Sequence, residues 1–189
     1  MKQFLAAFAV ASAIALPAHA AGPIRVVAAE YFYGEIAAAV GGSHVAVASI
    51  MSNPDEDPHL FEVSPSVARN LSAARLVIYN GADYDPWVAK LLAADAGTDR
   101  QTIVAADIVG KKPGDNPHLW YDPPTMPAVA GAIAAKLAAI DPADKSDFEA
   151  NLKKVDGELQ RVADKANAIK TKYAGAEVTA TEPVFGYMA

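Results

Sequence analysis

Short apolar runs alternate with stretches of helical periodicity along most of this chain. Residues 24–29 are largely apolar and β-branched, and 31–40 carry apolar side chains at helical spacing up to Gly41-Gly42. That order predicts a strand followed by a helix that the glycines stop. Residues 44–50 predict a second strand, and 51–59 a loop rich in Asn, Pro and Asp. A helix is predicted over 65–73, with Ser64 as its N-cap and Pro65 in its first turn. Residues 76–80 (Leu-Val-Ile-Tyr-Asn) are the clearest buried strand, 81–85 a turn, 86–94 a helix and 102–104 a fourth strand. Strands alternating with helices at these distances predict an α/β fold, a parallel sheet flanked by helices, because parallel neighbours need a crossover connection. Ligands gather beyond the carboxyl ends of such strands.

An Ala-rich helix is predicted over 126–140, and a long amphipathic helix over 142–173. Along the latter Leu152, Val155, Leu159, Val162, Ala166 and Ile169 recur every three or four residues. Lys153, Lys154, Asp156, Glu158, Arg161, Asp164 and Lys165 cover its other side, which reads as a solvated face. Gly175 ends the helix, and 178–181 predict one more strand with nothing to pair with. A second lobe is therefore expected beyond Ala189, with the present sequence a fragment of a longer product.

The first residues change the picture of where the protein works. Met1-Lys2-Gln3, an apolar run over 4–16 and Ala18-His19-Ala20 form a charged start, a short hydrophobic core and a small-x-small cleavage site. This predicts a secretory leader over residues 1–20, cut after Ala20, and a periplasmic product. The run is too short for a permanent membrane helix. Cys is absent, which excludes disulfides, thiolate ligands and the lipidated leader that needs a Cys after the cut, so no stable membrane anchor is expected. With 16 basic and 22 acidic residues the formal charge is −6, which disfavours nucleic acid as a partner.

Chemistry concentrates in two short turns, Asp57-Pro58-His59-Leu60-Phe61-Glu62 and Asn116-Pro117-His118-Leu119-Trp120-Tyr121-Asp122. Proline before each His stiffens its loop, and imidazole is the commonest side-chain ligand for transition metals. One loop follows the second strand and the other the fourth, so both reach the same sheet edge and His59 and His118 are candidates to share one ion. Asp55, Glu56, Asp57 and Asp122 lie close in sequence, and one of them is a candidate to hold the second nitrogen of a ligating imidazole. His44 reads as an exposed strand-end residue. Trp87, Trp120 and Tyr121 read either as cleft walls or as ordinary core.

Taken together, Asp57-Pro58-His59, Ser64-Pro65-Ser66, Val77-Ile78-Tyr79-Asn80-Gly81-Ala82, Asp85-Pro86-Trp87 and Asn116-Pro117-His118-Leu119-Trp120 resemble the periplasmic solute-binding proteins of metal-transporting ABC systems, which handle zinc, manganese and iron. The resemblance implies two α/β lobes joined by one long helix, with a metal clamped between them. Residues 21–141 then correspond to the first lobe, 142–174 to the connecting helix and 175–189 to the start of the second lobe. It also implies the ligands His59 and His118, Glu182 as the third, and a fourth carboxylate beyond Ala189. Glu182 follows the end of a strand without sheet partners, so little is expected to hold it against the histidines. A carboxylate in place of a third imidazole makes the site harder, closer to manganese or iron members, although zinc accepts oxygen ligands too. The implied function is a monomer that captures Zn2+ or Mn2+/Fe2+ as transported ligand and delivers it to a membrane permease, without catalysis. The alternative reading is an exported metalloenzyme with a two-His one-carboxylate site. A third is a surface interaction module, disfavoured by the absent lipidation Cys.

Overall fold

Four parallel strands, β1 (Ile24–Glu30), β2 (Val45–Met51), β3 (Leu76–Tyr79) and β4 (Gln101–Val104), lie side by side in the order β2-β1-β3-β4. The computed structural model describes residues 22–53, 56–58, 61–95 and 99–189. The leader, Asp55 and His59 lie outside them. Val26 is in register with both Val47 and Leu76, which makes β1 a central strand. Both faces of β1 are consequently buried, so its sequence shows a near-continuous apolar run instead of alternation.

Successive side chains of β1 and β3 point to opposite faces and build two cores. Val26, Ala28 and Ile78 pack against α1 (Tyr31–Gly41), α5 (Thr125–Ile140) and the first half of α6 (Lys145–Lys172). Val27, Ala29 and Val77 pack against Leu71 of α2 (Pro65–Ala73) and Trp87 and Val88 of α3 (Pro86–Ala94). Ser64 caps α2 as predicted, accepting from the Val67 N–H at 3.4 Å. The sequence reading passes over a four-residue helix, α4 (Ala105–Ile108), which is too short to show a period.

Three expectations need correction. Residues 178–181 form no strand, because no strand among the described residues runs beside them to complete a ladder. The apolar stripe of the long helix is buried only in part. Val155 is buried and Leu152 and Leu159 pack on the core, whereas Val162 and Ile169 are 56% and 52% exposed. At 28 residues α6 is roughly 42 Å long and outruns the sheet it packs on. Finally, His44 closes a 3-10 turn (Gly42–His44) and is half-buried, not an exposed strand end.

Candidate metal centre

Strand order reverses direction between β1 and β3, and the crevice at their carboxyl ends is where such sheets receive ligands. Glu30 ends β1 on one side of it. Asn80 and Asp85 follow β3 on the other. Between them, Gly81, Ala82 and Asp83 all have positive φ. Only glycine fits position 81, since a Cβ there would stand 2.7 Å from Val104 Cγ1. The Asp85 carboxylate holds this turn by accepting from the N–H groups of Asn80 at 2.7 Å and Gly81 at 2.8 Å. Asn80 is a saturated junction: Tyr33 O–H donates to its Oδ1 at 2.7 Å, and its Nδ2 donates at 2.9 Å to the carbonyls of Gly81 and Pro117. The peptide before His118 is thereby tied to the sheet.

Glu30 is the one member of this group without an ordinary partner. It is 2% exposed, and no donor among the described residues reaches either of its carboxylate oxygens. Burial first, and then the charge of Asp85, push its pKa well above the usual carboxylate range. Protonated, it can donate to Asp85, whose own pKa burial also raises while its hydrogen bonds oppose the rise. One neutral acid beside one carboxylate is the arrangement that satisfies both.

Stability should follow from this. The contribution of Glu30 is complete below its unfolded pKa, about 4.3, and is lost as pH climbs through the raised folded value. Glu30→Gln keeps a donor for Asp85 and cannot ionise. Its thermal midpoint should rise relative to the native protein between pH 4 and pH 8, and an equal difference at both pH values would count against the neutral acid.

His118 sits just before a 3-10 turn (Leu119–Tyr121), half-buried, its ring 5.4 Å from Trp120 and 6.0 Å from Tyr84. Trp120 stacks on Phe32 at 4.3 Å, so it is a wall of the site as well as a core residue. Trp87 belongs to the opposite core, against Phe61. Burial first, and also the charge of Asp85, push the Tyr84 phenol's pKa up. The side chain facing Nδ1 of the His118 ring is an amide. Asn116 Oδ1 lies 2.7 Å from Nδ1 and accepts from the His118 backbone N–H at 3.1 Å. Asp122 instead serves the start of α5, where its carbonyl accepts from the Thr125 N–H. Asn-Pro-His carried the signal for this: an Asn side chain bonding the N–H two residues on is an Asx turn.

Glu182 is exposed, and the chain beside it is better held than an unpaired strand would be. Asn116 Nδ2 donates to the Pro183 carbonyl at 2.7 Å, and Tyr187 O–H donates to the Asn116 carbonyl at 2.6 Å. Among the described residues one group places three possible ligand atoms within 4.8 Å of one another: His44, Asp144 and Asp147. Its two carboxylates face different nitrogens, Asp144 at 2.6 Å from Nδ1 and Asp147 at 3.0 Å from Nε2. That is a hydrogen-bonded clasp between the start of β2 and the start of α6, since an ion facing one nitrogen would leave the carboxylate on the other behind.

The sequence matches the family described as zinc-uptake complex component A, periplasmic (ZnuA), over residues 26–189. The manganese ABC transporter substrate-binding lipoprotein PsaA of Streptococcus mitis is 27% identical over 182 residues, 88% of this chain and 58% of its own length. The iron ABC transporter substrate-binding lipoprotein MtsA of Streptococcus pyogenes is 25% identical over 158 residues, 77% of this chain and 51% of its own. These relatives are substrate-binding proteins of transporters, not enzymes. Zn(II)-bound AdcA from Streptococcus pneumoniae shares the fold, with a TM-score of 0.77 at 22% identity over 89% of this chain and 37% of its own. A zinc-bound deletion mutant of ZnuA superposes with a TM-score of 0.74 at 27% identity, over 87% of this chain and 65% of its own. The chain spans about half the length of the curated relatives it matches. With the sheet, the His118 loop and the whole of α6 inside the matched range, this chain belongs to the ZnuA family of periplasmic zinc-uptake components.

Proposed function

We propose that this protein captures a divalent transition metal ion in the periplasm and delivers it to the permease of an ABC transporter. The observation that carries this reading is the mounting of His118: a half-buried imidazole at the carboxyl edge of a parallel sheet, held through Nδ1 and anchored by its preceding peptide. In this reading His59, outside the described residues, is the second imidazole ligand and Glu182 the carboxylate. Two nitrogens and one oxygen suit zinc, and also manganese or iron when further oxygen ligands complete the shell. The names of the relatives span manganese and iron, and those of the solved structures include zinc. The leader over residues 1–20 would export the chain as a monomer. With no Cys in the sequence it would travel without the lipid that the relatives' names record.

Titration of the metal-stripped full chain with Zn2+ against a chromophoric chelator tests the reading. Binding should approach one ion per chain and weaken steeply below neutral pH, because the ion displaces protons from imidazoles of ordinary pKa about 6.5. An affinity that stays flat from pH 8 to pH 5.5 would exclude histidine as a principal ligand.

A further inference from the structure

Two partners of the Asn116 side chain have chemistry that leaves no choice, and the state of His118 follows from them. The His118 backbone N–H, 3.1 Å from Oδ1, can only donate. The Pro183 carbonyl, 2.7 Å from Nδ2, can only accept. Turning the amide over would set its NH2 against an N–H and its oxygen against an oxygen, so one orientation alone is satisfied. Oδ1 is then the atom 2.7 Å from His118 Nδ1, and Nδ1 has to carry the hydrogen between them. In a neutral imidazole that hydrogen places the lone pair on Nε2.

We propose, resting on the metal-capture reading, that Asn116 is a positioning residue that performs two tasks with one side chain. It fixes His118 as the Nδ1–H tautomer, which ligates through Nε2, and it ties the peptide after Glu182 to the loop that presents His118. Tyr187 secures the tie from the other side, packing on the core and donating to the Asn116 carbonyl at 2.6 Å. The segment is closely seated: a Cβ on Gly186 would stand 3.3 Å from Asn116 Nδ2. An amide is needed because the two contacts demand opposite chemistry, an acceptor toward His118 and a donor toward Pro183. A carboxylate supplies only the first. An alanine supplies neither.

These differences separate the two tasks. Long-range 1H–15N spectra of the full chain, metal-free at pH 8, read the His118 tautomer, with His118→Gln assigning the signal. The native ring should give the Nδ1–H pattern, and Asn116→Ala should lose it and bind zinc about 10- to 100-fold more weakly. Asn116→Asp should keep hydrogen on Nδ1 while the amides of Gly186 and Met188 exchange roughly five- to tenfold faster. An Nε2–H pattern in the native ring, or an Nδ1–H pattern that survives Asn116→Ala, overturns the tautomer assignment. Unchanged exchange in Asn116→Asp overturns the tie. An Nδ1–H pattern that depends on Asn116 in a chain with no zinc affinity supports the positioning and overturns the metal-capture reading instead.

Discussion

Replacing His118 with alanine is expected to lower zinc affinity by about 100-fold or more, and His59→Ala by a comparable factor, whereas His44→Ala should leave it unchanged. The size follows from what is removed. Loss of a residue that merely orients a ligand costs roughly 10- to 100-fold, and loss of the ligand itself should exceed that. His118 is well placed to matter because little conformational freedom remains for an ion to freeze out: Asn116 holds the ring, and Asn80 holds the Pro117 carbonyl behind it. His44 offers the control. Both of its nitrogens face carboxylates at the start of α6, so its removal should cost stability of about 1 kcal/mol and not metal affinity. Competition with a chromophoric chelator measures all three variants. Equal losses in the three would dissolve the assignment.

Phe148→Ala is expected to destabilise the chain by about 3 to 5 kcal/mol, the usual cost of removing a fully buried aromatic side chain and leaving a cavity. Phe148 lies in the first turn of α6 with no exposed surface, and its ring meets His44 edge-on at 5.5 Å. It packs in the same cluster as Val40 of α1 and Ile133 and Leu137 of α5. Truncating Ile169, 52% exposed near the other end of the same helix, should cost only a few tenths of a kcal/mol. Urea unfolding of the two variants compares the halves of α6 directly. Similar midpoints for both would mean that the helix is not docked through its first half.

Much of the architecture was legible without coordinates, and particular residues show why. Residues 24–29 and 76–80 are apolar enough to be buried on both faces, and Gly41-Gly42, Ser64-Pro65 and Asp85-Pro86 punctuate the chain where helices stop or start. These are local signals, carried by side-chain size, backbone freedom and capping chemistry within a few residues. The two Pro-His turns were visible for the same reason, and so was the family resemblance built on them.

What the sequence could not supply were pairings between groups far apart in the chain. Periodicity made a continuous stripe from Leu152 to Ile169, yet only its first half meets the sheet, because burial depends on where neighbouring elements end. His44 looked like a strand end until Asp144 and Asp147 arrived about a hundred residues later. Glu30 carries no signal of its own in the sequence, and burial together with the return of Asp85 to the same crevice raises its pKa. Asn116 faces His118 on one side and, on the other, Pro183, which lies 67 residues on. Local sequence therefore determined the strands, the turns and the candidate ligands themselves. Tertiary structure decided the protonation, tautomer and tether of the side chains around them, because those depend on which donor meets which acceptor once distant segments are brought within about 3 Å.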